Sequence, residues 1–68
     1  MIEVKINTDF IKLDSFLKFT GACSLGSEAK FFIKNGEVKV NGEIEVQRGK
    51  KLYKGYTVEF QDEKYKIV

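Results

Sequence analysis

Lys30 and Lys34 stand four residues apart, and Arg48-Gly49-Lys50-Lys51 sets three positive charges within four residues. On a helix the first spacing puts both ammonium groups on one stripe, a turn apart, where they can span neighbouring phosphates of a nucleic-acid backbone. The second gathers cations in a segment that Gly49 leaves low and mobile. Arg48 adds a planar guanidinium fork that matches phosphate oxygens in a way an ammonium does not. Each cation seated on a phosphate releases condensed counterions, so such a surface binds in a salt-dependent way. A solvated face that only keeps the chain soluble would carry the same residues. Phe31, beside Lys30, is open to two readings as well: a stacking surface for an exposed base, or an aromatic packed at a helix edge.

Catalysis finds little to work with. The chain has no histidine, which removes the commonest general base and the commonest metal ligand. Cys23 is the only cysteine, so no internal disulfide can form. Its thiol is either activated by a helix N-terminus or a small buried side chain packing a corner between helices. Glu43 and Glu45 share a strand face, but no second polar group converges on them as a carboxylate pair across a cleft would require. Gly21, Gly26, Gly36, Gly42, Gly49 and Gly55 are spread as punctuation and lack the clustered spacing of a phosphate-cradling loop. No catalytic residue, metal site or cofactor is expected.

The formal net charge of +2 says less than its distribution. From Met1 to Gly26 three lysines balance three acids, and from Tyr56 to Val68 two lysines meet three acids. Between Ser27 and Gly55 seven basic residues face four glutamates, so the excess sits in mid-chain. Sixty-eight residues suit one domain with one thin core and leave no room for a deep pocket. With 43% hydrophobic and 32% charged residues the composition is that of a globular, soluble chain. No run spans a bilayer and no apolar leader opens the chain, so a reducing, cytoplasmic setting is expected.

The elements that must position these residues follow from period and punctuation. Ile2, Val4 and Ile6 alternate as a short strand. Leu13, Phe16, Leu17 and Thr20 share a helical face, with Asp14 and Lys18 four apart on another and Gly21 as a stop. A second helix is expected from about Gly26 to Asn35, capped by Ser24 or Ser27, with Ala29, Phe32 and Ile33 as its apolar stripe and Gly36 beyond its end. Val38 and Val40 lead into Asn41-Gly42, a two-residue hairpin signal, and Ile44 and Val46 return. Lys54-Gly55 turns into Tyr56, Val58 and Phe60, and Tyr65 and Ile67 close the chain in a strand. The expected fold is α+β: two short helices packed on a small, mostly antiparallel sheet. Phe16, Leu17, Phe32, Ile33, Val38, Val40, Val58 and Phe60 are its expected core.

The ordered set Leu13-Asp14-Ser15-Phe16-Leu17-Lys18, Ser24 through Ala29-Lys30, Gly36-Glu37-Val38-Lys39-Val40-Asn41-Gly42, Arg48-Gly49-Lys50-Lys51-Leu52 and Gly55-Tyr56-Thr57-Val58 resembles the S4 RNA-binding domain family. More narrowly it is similar to the short stand-alone S4-like proteins of bacteria, the YaaA type. The resemblance covers nearly the whole chain. It implies a non-catalytic domain with the αL RNA-binding motif that takes structured RNA, often ribosomal RNA. Carried over, Ser27, Lys30 and Lys34 would face RNA, Lys39, Asn41 and Gly42 would line the same surface, and Arg48, Lys50 and Lys51 would extend it. Two departures stand out: Gly55-Tyr56 replaces the usual Gly-Asp, and Leu25-Gly26-Ser27 replaces the commoner Ser-Gly-Gly.

Two functions therefore compete at this level. The first is a monomeric module for structured RNA, DNA being left open because phosphate contacts do not distinguish the polymers. The alternative is a protein-interaction module, a homodimer or small adaptor, built on an exposed end strand and on Tyr53, Tyr56 and Tyr65.

Overall fold

In a computed structural model that describes all 68 residues, the chain orders itself as β1 (Ile2–Val4), β2 (Ile11–Lys12), α1 (Leu13–Phe19), α2 (Gly26–Lys34), β3 (Val38–Val40), β4 (Glu43–Ile44), β5 (Lys51–Leu52), β6 (Thr57–Phe60) and β7 (Glu63–Ile67). Five strands form one sheet in the order β1-β7-β6-β3-β4, and β2 pairs with β5 in a separate two-stranded ribbon. Every pairing is antiparallel except β1 with β7, which is parallel. The expected α+β arrangement of two short helices on a mostly antiparallel sheet is what the chain adopts.

Alternation decides which face the helices cover. Val38 and Val40, Val58 and Phe60, and Tyr65 and Ile67 point inward and are buried with Leu13, Phe16, Leu17, Ala29 and Ile33 of the helices. Ala29 is fully buried, and its small side chain allows the close approach of α1 and α2. Seven of the eight expected core residues are buried and Phe32 is half-buried, its ring 5.2 Å from that of Phe60. Leu52, Ile6 and Cys23 complete the core.

The turns use the left-handed backbone where expected. Asn41 (φ 52°) and Gly42 (φ 84°) make the two-residue link between β3 and β4. Gly21 (φ 81°) and Gly36 (φ 74°) follow the two helices. Gln61 (φ 50°) and Asp62 (φ 65°) build a second tight hairpin without any glycine.

Three expectations need correction. Neither Ser24 nor Ser27 caps α2. Glu28 turns back instead, and its Oε1 accepts the amides of Ser24 (2.9 Å) and Leu25 (3.1 Å), the acidic half of a capping box. The returning strand after Asn41-Gly42 is only Glu43–Ile44, and Ile44 and Val46 are both exposed because no element lies over them. The terminal strand is not an edge: β1 pairs along it in parallel, and Tyr65, only 7% exposed, is held edge-on to Phe16 at 5.7 Å. That removes the exposed end strand from the case for a protein-interaction module.

Candidate nucleic-acid interface

Helix α2 buries Ala29 and Ile33, so at 100° per residue Ser27, Lys30 and Lys34 fall within one sector of about 60° on its flank. All three are exposed, and no carboxylate holds either lysine, because the molecule's one ion pair lies elsewhere. Glu28, the nearest acid on the helix, is turned away to the amides of Ser24 and Leu25. Phe31 borders the same sector, is 58% exposed and stands edge-on to Phe32 at 5.4 Å.

The Arg48–Lys51 segment is fixed by its backbone rather than by its side chains. The first amides of a helix have no partner within it. Here the Leu13 amide donates to the Lys50 carbonyl oxygen (2.9 Å) and the Asp14 amide to that of Arg48 (3.0 Å). The basic loop therefore caps α1. Arg48 reaches the carboxylate of Asp14 at 3.8 Å, a loose and exposed pair worth under about 1 kcal/mol. With 59% of its side chain in solvent, the guanidinium keeps donors free for a phosphate. Lys50 lines a shallow groove with Asn41, Ile44 and Tyr56 that Glu43 and Glu45 also border. Lys51 extends over the ring of Phe10, its Nζ 4.8 Å from the centroid.

Asn41 is held at the hairpin tip. Its amide donates to the Thr57 carbonyl oxygen and its Oδ1 accepts the Thr57 amide, both at 2.9 Å, which leaves the side-chain NH2 free. Gly42 completes the turn. Lys39 stands apart from this group. It alternates with Val38 and Val40, so it points to the face of the sheet away from the helices, directly opposite Glu59, which is itself opposite Lys64. The charges on that face alternate in sign, which suits solvation better than anion binding.

Lys18 joins the two clusters and was not singled out by charge counting. On α1 it follows Asp14 by one turn, and its Cδ lies 3.9 Å from where a Cβ on Gly26 would stand. Gly26 opens the row Gly26, Lys30, Lys34 on α2. A line of side chains thus runs from Arg48 past Asp14 and Lys18 onto α2. The available signal was the four-residue spacing of Asp14 and Lys18 ahead of a glycine that leaves room beside it.

Cys23 is buried, 4% exposed, beneath this junction. Burial pushes its thiol pKa up, with the Glu28 carboxylate adding to the effect, so the activated-nucleophile reading of Cys23 gives way to packing. No group of three or more His, Cys, Asp or Glu is placed to hold a metal ion. No helix is long and apolar enough to cross a membrane.

Two helices carrying a cationic sector, a short sheet, and a basic loop that caps the first helix make a small α+β domain with an exposed basic face. The S4 domain family profile matches residues 4–68, and the chain belongs to that family. Over 58 residues it is 41% identical to the probable ribosome maturation protein RlbA of Bacillus subtilis (strain 168), spanning 85% of this chain and 82% of that protein. It is 34% identical over 58 residues to the putative RNA-binding protein YbcJ of Escherichia coli (strain K12), spanning 85% and 83%. The solution structure of YbcJ from E. coli, described as revealing an αL motif involved in RNA-binding, matches with a TM-score of 0.76 and 30% identity over 100% of this chain and 87% of that one.

Proposed function

We propose that residues 1–68 act as one S4-like domain that binds structured RNA without catalysing a reaction, in the cytoplasm, with ribosomal RNA the first candidate. The observation that carries the reading is the exposed, unpaired sector Ser27, Lys30 and Lys34, continued by Lys18 and Arg48. Duplex RNA offers phosphates and 2′-hydroxyls on a regular surface while its deep major groove hides the bases, so a short cationic helix can recognise its shape. Lys50, Asn41 and Gly42 extend the contact along the hairpin, and Lys51 marks its far end. Lys39 contributes least, since Glu59 opposes it on the outer face. The RNA-binding and ribosome-maturation names of the two relatives support the same reading.

Titration of a fluorescent RNA hairpin with the whole chain at about 50 and 200 mM salt tests it. Binding should weaken steeply as salt rises, and the Lys30→Gln/Lys34→Gln double variant should lower the slope of log K against log salt by about 2. Absence of binding at low salt, or binding indifferent to salt, would refute the proposal. A DNA duplex of the same sequence, carried as competitor, separates shape recognition from general phosphate affinity.

A further inference from the structure

The ribbon of β2 and β5 keeps two lysines where electrostatics disfavours them. Lys12 and Lys51 are direct cross-strand partners, so their side chains leave the ribbon on the same face. Both are exposed, and neither has a carboxylate partner. Like charges directly opposite each other weaken a ladder, and this one has only two residue pairs to hold it. Ile11 and Leu52 occupy the other face and pack towards the core.

Aromatic rings extend that same outer face. Phe10 and Tyr53 flank the ladder, their centroids 6.1 Å apart, and Tyr56 continues the row edge-on to Tyr53 at 5.7 Å. The ammonium of Lys51 lies 4.8 Å from the centroid of Phe10. Tyr53 is an exposed aromatic of the β5–β6 connection, and Tyr56 is half-buried beside it. Two unpaired cations beside a row of partly open rings offer one seat for a phosphate and another for a flat base.

We propose that the outer face of this ribbon binds an unpaired nucleotide of RNA, with Lys12 and Lys51 on its phosphate and the ring of Tyr53 stacked against its base. The phosphate relieves the repulsion between the lysines. The base needs no particular identity, because every base offers a π face. The inference rests on the RNA-binding reading and makes it more specific: the preferred ligand is a duplex that passes into a single-stranded flank. β2 runs directly into α1, whose start carries Asp14 paired with Arg48 of the capping loop, so the ribbon lies at the end of the cationic line.

The test uses the whole chain with three RNAs: a blunt hairpin, and the same hairpin with a four-nucleotide 5′ or 3′ flank. At least one flanked hairpin should bind more tightly than the blunt one, and Tyr53→Leu should reduce that advantage by about 5- to 150-fold, the range set by one base–aromatic stack, while leaving blunt-hairpin binding unchanged. Lys12→Gln should lower the salt slope for the flanked RNA by about 1 and at the same time raise the urea midpoint of the free protein. A native chain that binds all three RNAs equally overturns the inference but leaves the RNA reading intact. So does a Tyr53→Leu variant that weakens blunt and flanked hairpins alike. A native chain that binds none of them removes both.

Discussion

Asn41 carries two loads that substitution can separate. Its backbone sits at φ 52°, in the left-handed region, and its Oδ1 accepts the Thr57 amide at 2.9 Å. Alanine would lose both benefits. An alanine held left-handed costs roughly 1–2 kcal/mol, and the lost hydrogen bond roughly 0.5–1.5 kcal/mol. Asn41→Ala should therefore destabilise the chain by about 2–3 kcal/mol. Asn41→Gly keeps the backbone comfortable and loses only the side-chain acceptor, so about 1 kcal/mol is expected. With a urea dependence of about 1 kcal/mol per molar for a chain this small, the midpoints should fall by about 2–3 M and 1 M respectively. Asn41→Asp retains an acceptor and tolerates the turn, so its midpoint should stay near native. Its RNA affinity should drop, because a negative oxygen replaces an uncharged NH2 donor on the proposed surface. Equal losses for the alanine and glycine variants would refute the backbone argument. A native-like Asn41→Gly would show that the bond to Thr57 contributes nothing.

Three other substitutions probe the supports of the site. Glu28→Ala removes the acceptor for the Ser24 and Leu25 amides and should cost about 1 kcal/mol by thermal melt, with no loss of charge attraction for RNA. Gln61→Asn with Asp62→Gly gives the left-handed turn the residues it favours and should raise stability by about 1–2 kcal/mol; an unchanged melting temperature would count against backbone cost at that hairpin. Cys23 has its thiol pKa raised in the folded chain, so only the unfolded chain ionises as pH climbs through the usual thiol range. Stability should be flat below that range and fall above it, and Cys23→Ala should abolish this alkaline component in urea melts followed from pH 7 to pH 10.

Periodicity made the helices, the main strands and most of the core legible, because burial on one face leaves a direct trace in residue spacing. Phe16, Leu17, Ile33, Val58 and Phe60 could be placed inside from period alone. The ribbon of β2 and β5 could not, since Ile11–Lys12 and Lys51–Leu52 are too short to show any period and meet only through tertiary pairing. The cap on α2 was misplaced for a related reason. Two serines of good capping type stand near its start, but the helix begins at Gly26 with Leu25 at the N-cap, so Ser24 lies one residue too early and Ser27 already in the first turn. Lys30 and Lys34 were legible as a pair because one helix carries them. Lys18 was hidden in a stretch whose charges balance, and only the packing of α1 on α2 brings it beside Gly26. Lys39 shows the converse: sequence neighbours Val40 and Asn41 lead towards the hairpin, but strand alternation turns its side chain to the opposite face.

The same alternation explains how a chain of net charge +2 can present a strongly cationic surface. On the outer sheet face Lys39, Lys64 and Lys66 are interleaved with Glu3 and Glu59, so the field there largely cancels. The helical layer carries two acids near Lys18, Lys30 and Lys34: Asp14, which is shared with Arg48, and Glu28, which is turned to the amides of Ser24 and Leu25. Placement therefore matters more than total charge. The basic loop gains a further advantage from capping α1 through its own carbonyl oxygens: moving Arg48 or Lys50 would uncover the amides of Leu13 and Asp14. A flexible basic loop would have to be ordered when it meets its ligand, at a cost in conformational entropy. Here folding of α1 already imposes that order, so Arg48 and Lys50 would meet the proposed RNA with their backbone fixed and only their side chains left to settle.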